Sequence, residues 1–216
     1  MPGGAGVGVK AQSNEAAGMT SASNTALVMA SFGSGGRGRV ALDIMQEALA
    51  RHVPPSATFW CCTSRTLART TDLPGVDETL DQVARAGFTR ALVQPLHVFP
   101  GSEYEQLAGL CGGQTGLRAT LGETLLHRRE YVREALAVVE RDFLPPDQGC
   151  NLLALHGCRL REHPVNDMYL GVARLVADLY PHVLAAGIEG VPDFQAVSAA
   201  MVRRGLAAQY RRVRLV

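Results

Sequence analysis

Ala26-Leu27-Val28-Met29-Ala30-Ser31-Phe32-Gly33 is a short apolar run stopped by glycine, and Leu152-Leu153-Ala154-Leu155-His156-Gly157 repeats that pattern far downstream. An apolar run without polar alternation reads as a strand buried on both faces, as in a parallel sheet covered by helices. Outward from these two anchors, apolar residues fall at helical spacing in Val40–Ala50, Asp77–Ala86, Glu103–Leu110, Tyr131–Val139, Val165–Leu179 and Phe194–Arg203. Thr58–Cys62, Ala91–Val93 running into Gln-Pro-Leu, and Val183–Ile188 read as further strands, and another begins at Val213. Strands alternating with helices define the α/β class with parallel sheets. A second echo links Gly87–Val93 to Gln209–Val216, so two Rossmann-like lobes are expected. Periodicity alone leaves open whether the halves are true repeats or two generic α/β units. The expected organisation is a disordered leader over 1–25, an N-terminal lobe over 26–145, and a C-terminal lobe over 146–216 that is incomplete.

Composition narrows the function classes. The chain has 216 residues, 47% hydrophobic and 19% charged, with a formal net charge of +1. That balance provides no broad field for nucleic acid or an anionic membrane. No apolar run approaches the about 20 residues of a membrane span. The five cysteines, Cys61, Cys62, Cys111, Cys150 and Cys158, form no CxxC pair. They read as free thiols of a reducing cytoplasm rather than a disulfide framework or a structural zinc site. A homo-oligomer is compatible with this composition.

In parallel α/β sheets ligands bind beyond the carboxyl ends of the strands, and those ends are polar here. His156 ends an apolar run and precedes Gly157, which puts its ring at the sheet rim. Imidazole is both a metal ligand and a base near neutral pH; a hydrogen-bonded structural histidine stays open as the other reading. Glu189 follows Ala-Ala-Gly-Ile and could join His156 in a site for a divalent first-row metal. A helix-start acid is its plainer reading, although Asp193 suits the N-cap better. His97, within Gln-Pro-Leu-His-Val-Phe-Pro-Gly (94–101), lines the same cleft, contacts a flat ring, or is a packed loop residue. Glu103 opens a helix after Gly101-Ser102, where an acid also suits the helix dipole.

The Gly-rich stretch Ser31-Phe32-Gly33-Ser34-Gly35-Gly36-Arg37-Gly38 lacks the Walker lysine and fits the dinucleotide fingerprint poorly. Its amides, with Arg37, Arg39 and Arg65 nearby, suit a carboxylate better than a nucleotide. Cys158 has no evident partner for a nucleophilic role.

Several segments in a fixed order resemble the anaerobic, ATP-independent cobalt chelatases, the class II chelatases. They are Ala-Ser-Phe-Gly-Ser (30–34), Thr-Ser-Arg (63–65), Val-Gln-Pro-Leu-His-Val-Phe-Pro-Gly-Ser-Glu-Tyr-Glu (93–105), Leu-Gly-Glu-Thr-Leu-Leu (121–126) with Tyr131, His-Gly (156–157) with His163-Pro164, and Gly-Ile-Glu-Gly-Val-Pro (187–192). The resemblance spans about Ala26 to Val216. It implies a bilobal α/β lyase that inserts Co2+ into sirohydrochlorin on the anaerobic cobalamin route, with Ni2+ or Fe2+ as other candidate metals and no organic cofactor. His156 then corresponds to the metal-binding and catalytic histidine, Glu189 to the metal-binding carboxylate, and Glu103 to an active-site acid of the first lobe. Ser31, Phe32, Gly33, Ser34, Arg65 and His97 are the expected contacts to the substrate ring.

Two departures accompany the resemblance. The family places His-Pro or His-His two residues after His-Gly, whereas here Cys158-Arg159-Leu160-Arg161-Glu162 intervenes before His163-Pro164. That longer loop is expected to displace His163 or narrow the cleft. The family's second metal histidine lies in a Pro-Leu…Gly-Asp-His segment beyond the last strand seen here. Two of three ligands are therefore expected in this sequence, with weak or absent chelatase activity. A non-catalytic tetrapyrrole- or metal-binding module is the alternative.

Overall fold

Two parallel sheets form from the strand–helix alternation, and a computed structural model describes residues 24–33 and 37–216 of them. The first sheet holds β1 (Thr25–Ser31), β2 (Thr58–Cys62), β3 (Arg90–Pro95) and β4 (Arg118–Leu121), in the order β2-β1-β3-β4. The second holds β5 (Cys150–Gly157), β6 (Val183–Glu189) and β7 (Val213–Leu215), in the order β6-β5-β7. All pairings are parallel. The two anchor runs quoted from the sequence become β1 and β5, each flanked by the next strand on one side and the one after it on the other. The sequence echo thus coincides with a topological one.

The helices are α1 (Arg37–Ala50), α2 (Arg65–Ala68), α3 (Val76–Arg85), α4 (Ser102–Gly112), α5 (Arg129–Val139), α6 (Val165–Leu179), α7 (Phe194–Arg203) and α8 (Leu206–Gln209). Their buried faces follow the spacing of apolar residues. In α3, Val76, Thr79, Leu80 and Val83 are buried while Asp77 and Glu78 occupy the first turn, where the helix dipole favours acids. In α6 the buried face is Val165, Tyr169, Val172 and Val176. Asp193 caps α7 by accepting from the Ala196 N–H at 2.7 Å, the role its position predicts.

Strand β4 and the short helices α2 and α8 escape the sequence reading. Arg118-Ala119-Thr120-Leu121 sits at the edge of its sheet with alternate residues exposed, and four residues of weak pattern carry little signal. The four-residue helices α2 and α8 are too short to show a period.

Three apolar clusters hold the molecule together. One packs Val28, Ala30, Leu80, Val83, Val93 and Leu107 between the first sheet and α3 and α4. A second joins one face of the second sheet to α6 and also to Val132 and Leu136 of α5. The third covers the other face with Val197 of α7 and Leu206 of α8. Helix α5 lies before the boundary expected at 145/146, yet its apolar face is buried on the second sheet. Among the described residues no helix is long and apolar enough to cross a membrane.

The chain enters the second sheet through a buried amide. Asn151 is fully buried; its Oδ1 accepts from the Leu144 N–H at 2.8 Å and its Nδ2 donates to the Leu144 carbonyl at 3.0 Å. Replacing Asn151 by leucine strands both backbone groups of Leu144. The expected cost is about 1–3 kcal/mol per buried unpaired group, seen as a lower urea midpoint at unchanged m-value.

Candidate active site

His156 and Glu189 are brought together by a backbone contact that no side chain permits. Both Gly157 (φ +80°) and Gly190 (φ +73°) adopt the left-handed conformation. A Cβ on Gly157 would lie 1.5 Å from the Glu189 carbonyl oxygen, and one on Gly190 would lie 2.0 Å from that of Cys158. The ends of β5 and β6 therefore interlock backbone to backbone. The strand rim just before each glycine carries a polar side chain into one cavity, His156 from β5 and Glu189 from β6.

A loop from the first sheet forms the opposite wall. The Leu96 N–H donates to the Ala30 carbonyl at 2.8 Å, so the chain leaving β3 still follows β1. The N–H groups of Leu125 and Leu126 then donate to the carbonyls of His97 and Val98, at 3.0 and 2.9 Å. This strap aims His97 inward. Its Nε2 lies 3.1 Å from the Thr63 hydroxyl, while Nδ1 is buried without a partner among the described residues. Burial holds the His97 imidazole below its usual pKa, against the pull of the Glu103 carboxylate. Glu103 sits in the first turn of α4 and accepts from the Ser102 hydroxyl at 3.1 Å. At the cavity floor Phe99 reaches across to Tyr169 of α6, with ring centroids 4.3 Å apart.

The resulting cavity has a volume of about 450 Å³ and is lined by Phe32, His97, Glu103, His156 and Glu189 together. Five residues singled out from the sequence thus share one space. Four others differ from expectation or fall outside it. Ser31 is buried and donates its hydroxyl to the Cys61 carbonyl at 3.2 Å, serving the sheet rather than the cleft. Arg65 is exposed in the first turn of α2 and does not line the cavity; in that motif Thr63 reaches the site instead, and Ser64 caps α2. Ser34 lies outside the described residues. Gly33 (φ +106°) packs where a Cβ would fall 2.5 Å from the Cys62 sulfur, a requirement of packing.

Arg159 was not foreseen. Its Nη2 donates to Glu189 Oε1 at 2.5 Å. That hydrogen bond, with the charges of Arg159 and His156, holds the Glu189 carboxyl below the usual range despite some desolvation. His163 turns away from the cavity. It is nearly buried, its Nδ1 accepts from the Val165 N–H at 3.1 Å, and its Nε2 lies 3.3 Å from Glu105 of α4. Nε2 is buried and has no hydrogen-bond partner among the described residues. Among the described residues no three His, Cys, Asp or Glu groups cluster as a ready-made metal cage. A second cavity of about 450 Å³ lies between α5 and α6, lined by Val132, Val172, Leu175 and flanking arginines. It shares no lining residue with the strand-end cavity.

The cobalt chelatase family model, CbiK, matches residues 25–215, and the chain belongs to that family. A curated relative, sirohydrochlorin cobaltochelatase CbiKC of Nitratidesulfovibrio vulgaris strain Hildenborough, is 30% identical over 174 residues. The match covers 73% of this chain and 59% of the relative's length. Two solved structures share the fold. SirB from Bacillus subtilis with Fe3+ superposes with a TM-score of 0.60 at 14% identity. The sirohydrochlorin chelatase SirB from Bacillus subtilis subspecies spizizenii in complex with cobalt gives 0.58 at 15%. Each comparison covers 88% of this chain and 86% of the other.

Two outcomes follow from this geometry. Gly157→Ala meets both a backbone clash and a positive φ, and is expected to lose at least about 1–3 kcal/mol of stability. Gly109→Ala, in open space within α4, is expected to gain up to about 1 kcal/mol; equal effects in urea unfolding would contradict the interlock. The depressed His97 pKa also has a signed consequence. The unfolded chain protonates below the usual 6.5 while folded His97 stays neutral, so stability is full above that pH and falls as pH drops toward the folded value. His97→Asn should flatten this fall between about pH 7.5 and 5.5, measured as unfolding free energy at both pH values.

Proposed function

We propose that this chain carries the metal- and ring-binding cleft of a sirohydrochlorin cobaltochelatase, inserting Co2+ without ATP on the anaerobic cobalamin route in the cytoplasm. The observation that carries the reading is that His156 and Glu189 from one sheet and His97 and Glu103 from the other line a single cavity. Membership of the cobalt chelatase family supports the metal and the ring.

Insertion exchanges one divalent cation for two pyrrole protons. Two ring N–H bonds break, two protons pass to bases, and the nitrogen lone pairs bind the metal. No electrons are transferred and no nucleotide is consumed. The His156 imidazole binds the ion through one ring nitrogen or takes a proton. The Glu189 carboxylate offsets the charge of the ion. Glu103, on the facing wall, accepts the second proton, and neutral His97 lies against the ring face.

His156 and Glu189 leave other coordination positions on the ion open. A closed four-ligand shell holds an ion permanently, whereas an open site leaves positions for water and for incoming ligands. Imidazole plus carboxylate discriminates little among Co2+, Ni2+ and Fe2+, so the choice of cobalt rests on the family.

The test is the absorption spectrum of sirohydrochlorin mixed with the protein, with and without Co2+, in the absence of ATP. His156→Ala is expected to slow insertion by about 10²-fold or more, and Glu103→Gln to slow it with the metal affinity unchanged. Turnover retained in His156→Ala would remove that residue from the chemistry. Ring binding without insertion by the unaltered chain would mark a non-catalytic tetrapyrrole- or metal-binding module.

A further inference from the structure

We propose that Arg159 is a positioning residue that occupies the cation's seat on Glu189 until the metal arrives, and then takes a carboxylate of the substrate ring. The proposal rests on the reading of His156 and Glu189 as the metal-binding pair.

Arg159 Nη2 lies 2.5 Å from Glu189 Oε1, and the side chains are 81% and 26% exposed. Glu189 is thus ionised and already holds a cation, a guanidinium rather than a metal. A bound metal and a guanidinium at that distance would share one carboxylate and repel each other. Arrival of the metal at that oxygen therefore displaces the arginine from it.

Two features make that departure easy. The Arg159 side chain is largely solvated, so leaving sacrifices no packing, and an exposed ion pair is weak. The incoming ion, in contrast, gains a second ligand in His156. The backbone of the loop meanwhile stays fixed. Buried Asn166 donates through Nδ2 to the carbonyls of Leu160 at 2.7 Å and Arg161 at 3.1 Å. Only the side chain swings, and Arg159 lines the same cavity as His156 and Glu189. A guanidinium released there matches a carboxylate in a two-pronged geometry that lysine cannot reproduce. The five residues between His156-Gly157 and His163-Pro164 thus supply a charge that competes with metal before the ring is present and assists the ring afterwards. Linkage makes this reciprocal: ring carboxylates that draw Arg159 away strengthen metal binding, and metal strengthens ring binding.

Calorimetric titration with Co2+ alone separates the possibilities. Arg159→Gln is expected to bind Co2+ about three- to tenfold more tightly than the parent chain at low ionic strength, the gain shrinking with salt. Arg159→Lys, which keeps the charge, should stay near the parent affinity. In the presence of Co2+, sirohydrochlorin should bind Arg159→Gln severalfold more weakly. Unchanged or weaker Co2+ binding in Arg159→Gln overturns the proposal, provided His156→Ala lowers affinity in the parent. If His156→Ala leaves Co2+ affinity unchanged, or no variant binds Co2+, the metal-pair reading itself fails.

Discussion

The ends of β5 and β6 meet where only glycine fits, and the candidate site depends on that contact. Gly157 lies against the Glu189 carbonyl and Gly190 against that of Cys158. Each strand closes the space into which the other's side chain would project. The interlock does for this site what a rigid scaffold does for any preorganised centre: it fixes ligand positions through backbone geometry rather than through flexible rotamers. The rim is held by the sheet, and the side chains need only point outward from it.

The facing wall is tied to this rim by apolar contacts at its base. Phe99 leaves the first-sheet strap to stack on Tyr169, and α5 crosses to bury Val132 and Leu136 on the second sheet. His163 and Glu105 add a polar contact from the loop before α6 to α4. The cavity is therefore bounded below by packing and above by solvated charges. Apolar contacts at the floor resist separation of the walls, while Arg159 and Glu189 at the rim rearrange at little cost.

Much of this was legible in the residues. Apolar runs ending in His-Gly and Ser-Phe-Gly identify strands and their carboxyl ends, the edge at which parallel α/β sheets generally bind ligands. His156, Glu189, His97, Glu103 and Phe32 were all found this way, and the structure gathers them in one cavity. Ser31 was misread because it occupies the last residue of β1, where alternation turns its hydroxyl back toward Cys61. Arg65 was misread because a strand-end motif does not say which of its residues points inward; Thr63 does, by reaching His97. The weak edge strand β4 had no period to detect.

The sequence by itself determined the class of fold, the order of its longer strands and helices, and the side chains offered at the strand ends, because these follow from local periodicity and from where glycine interrupts it. Only the tertiary structure decided which of those side chains meet. Arg159 and Glu189 are thirty residues apart and each has an ordinary surface neighbourhood in the chain. Their ion pair exists because two left-handed glycines bring the ends of β5 and β6 into contact. His163, seven residues after the motif histidine His156, is turned to Glu105 by a loop whose path is set by the buried Asn166 amide. Long-range pairings of this kind depend on packing between elements, which local pattern does not encode.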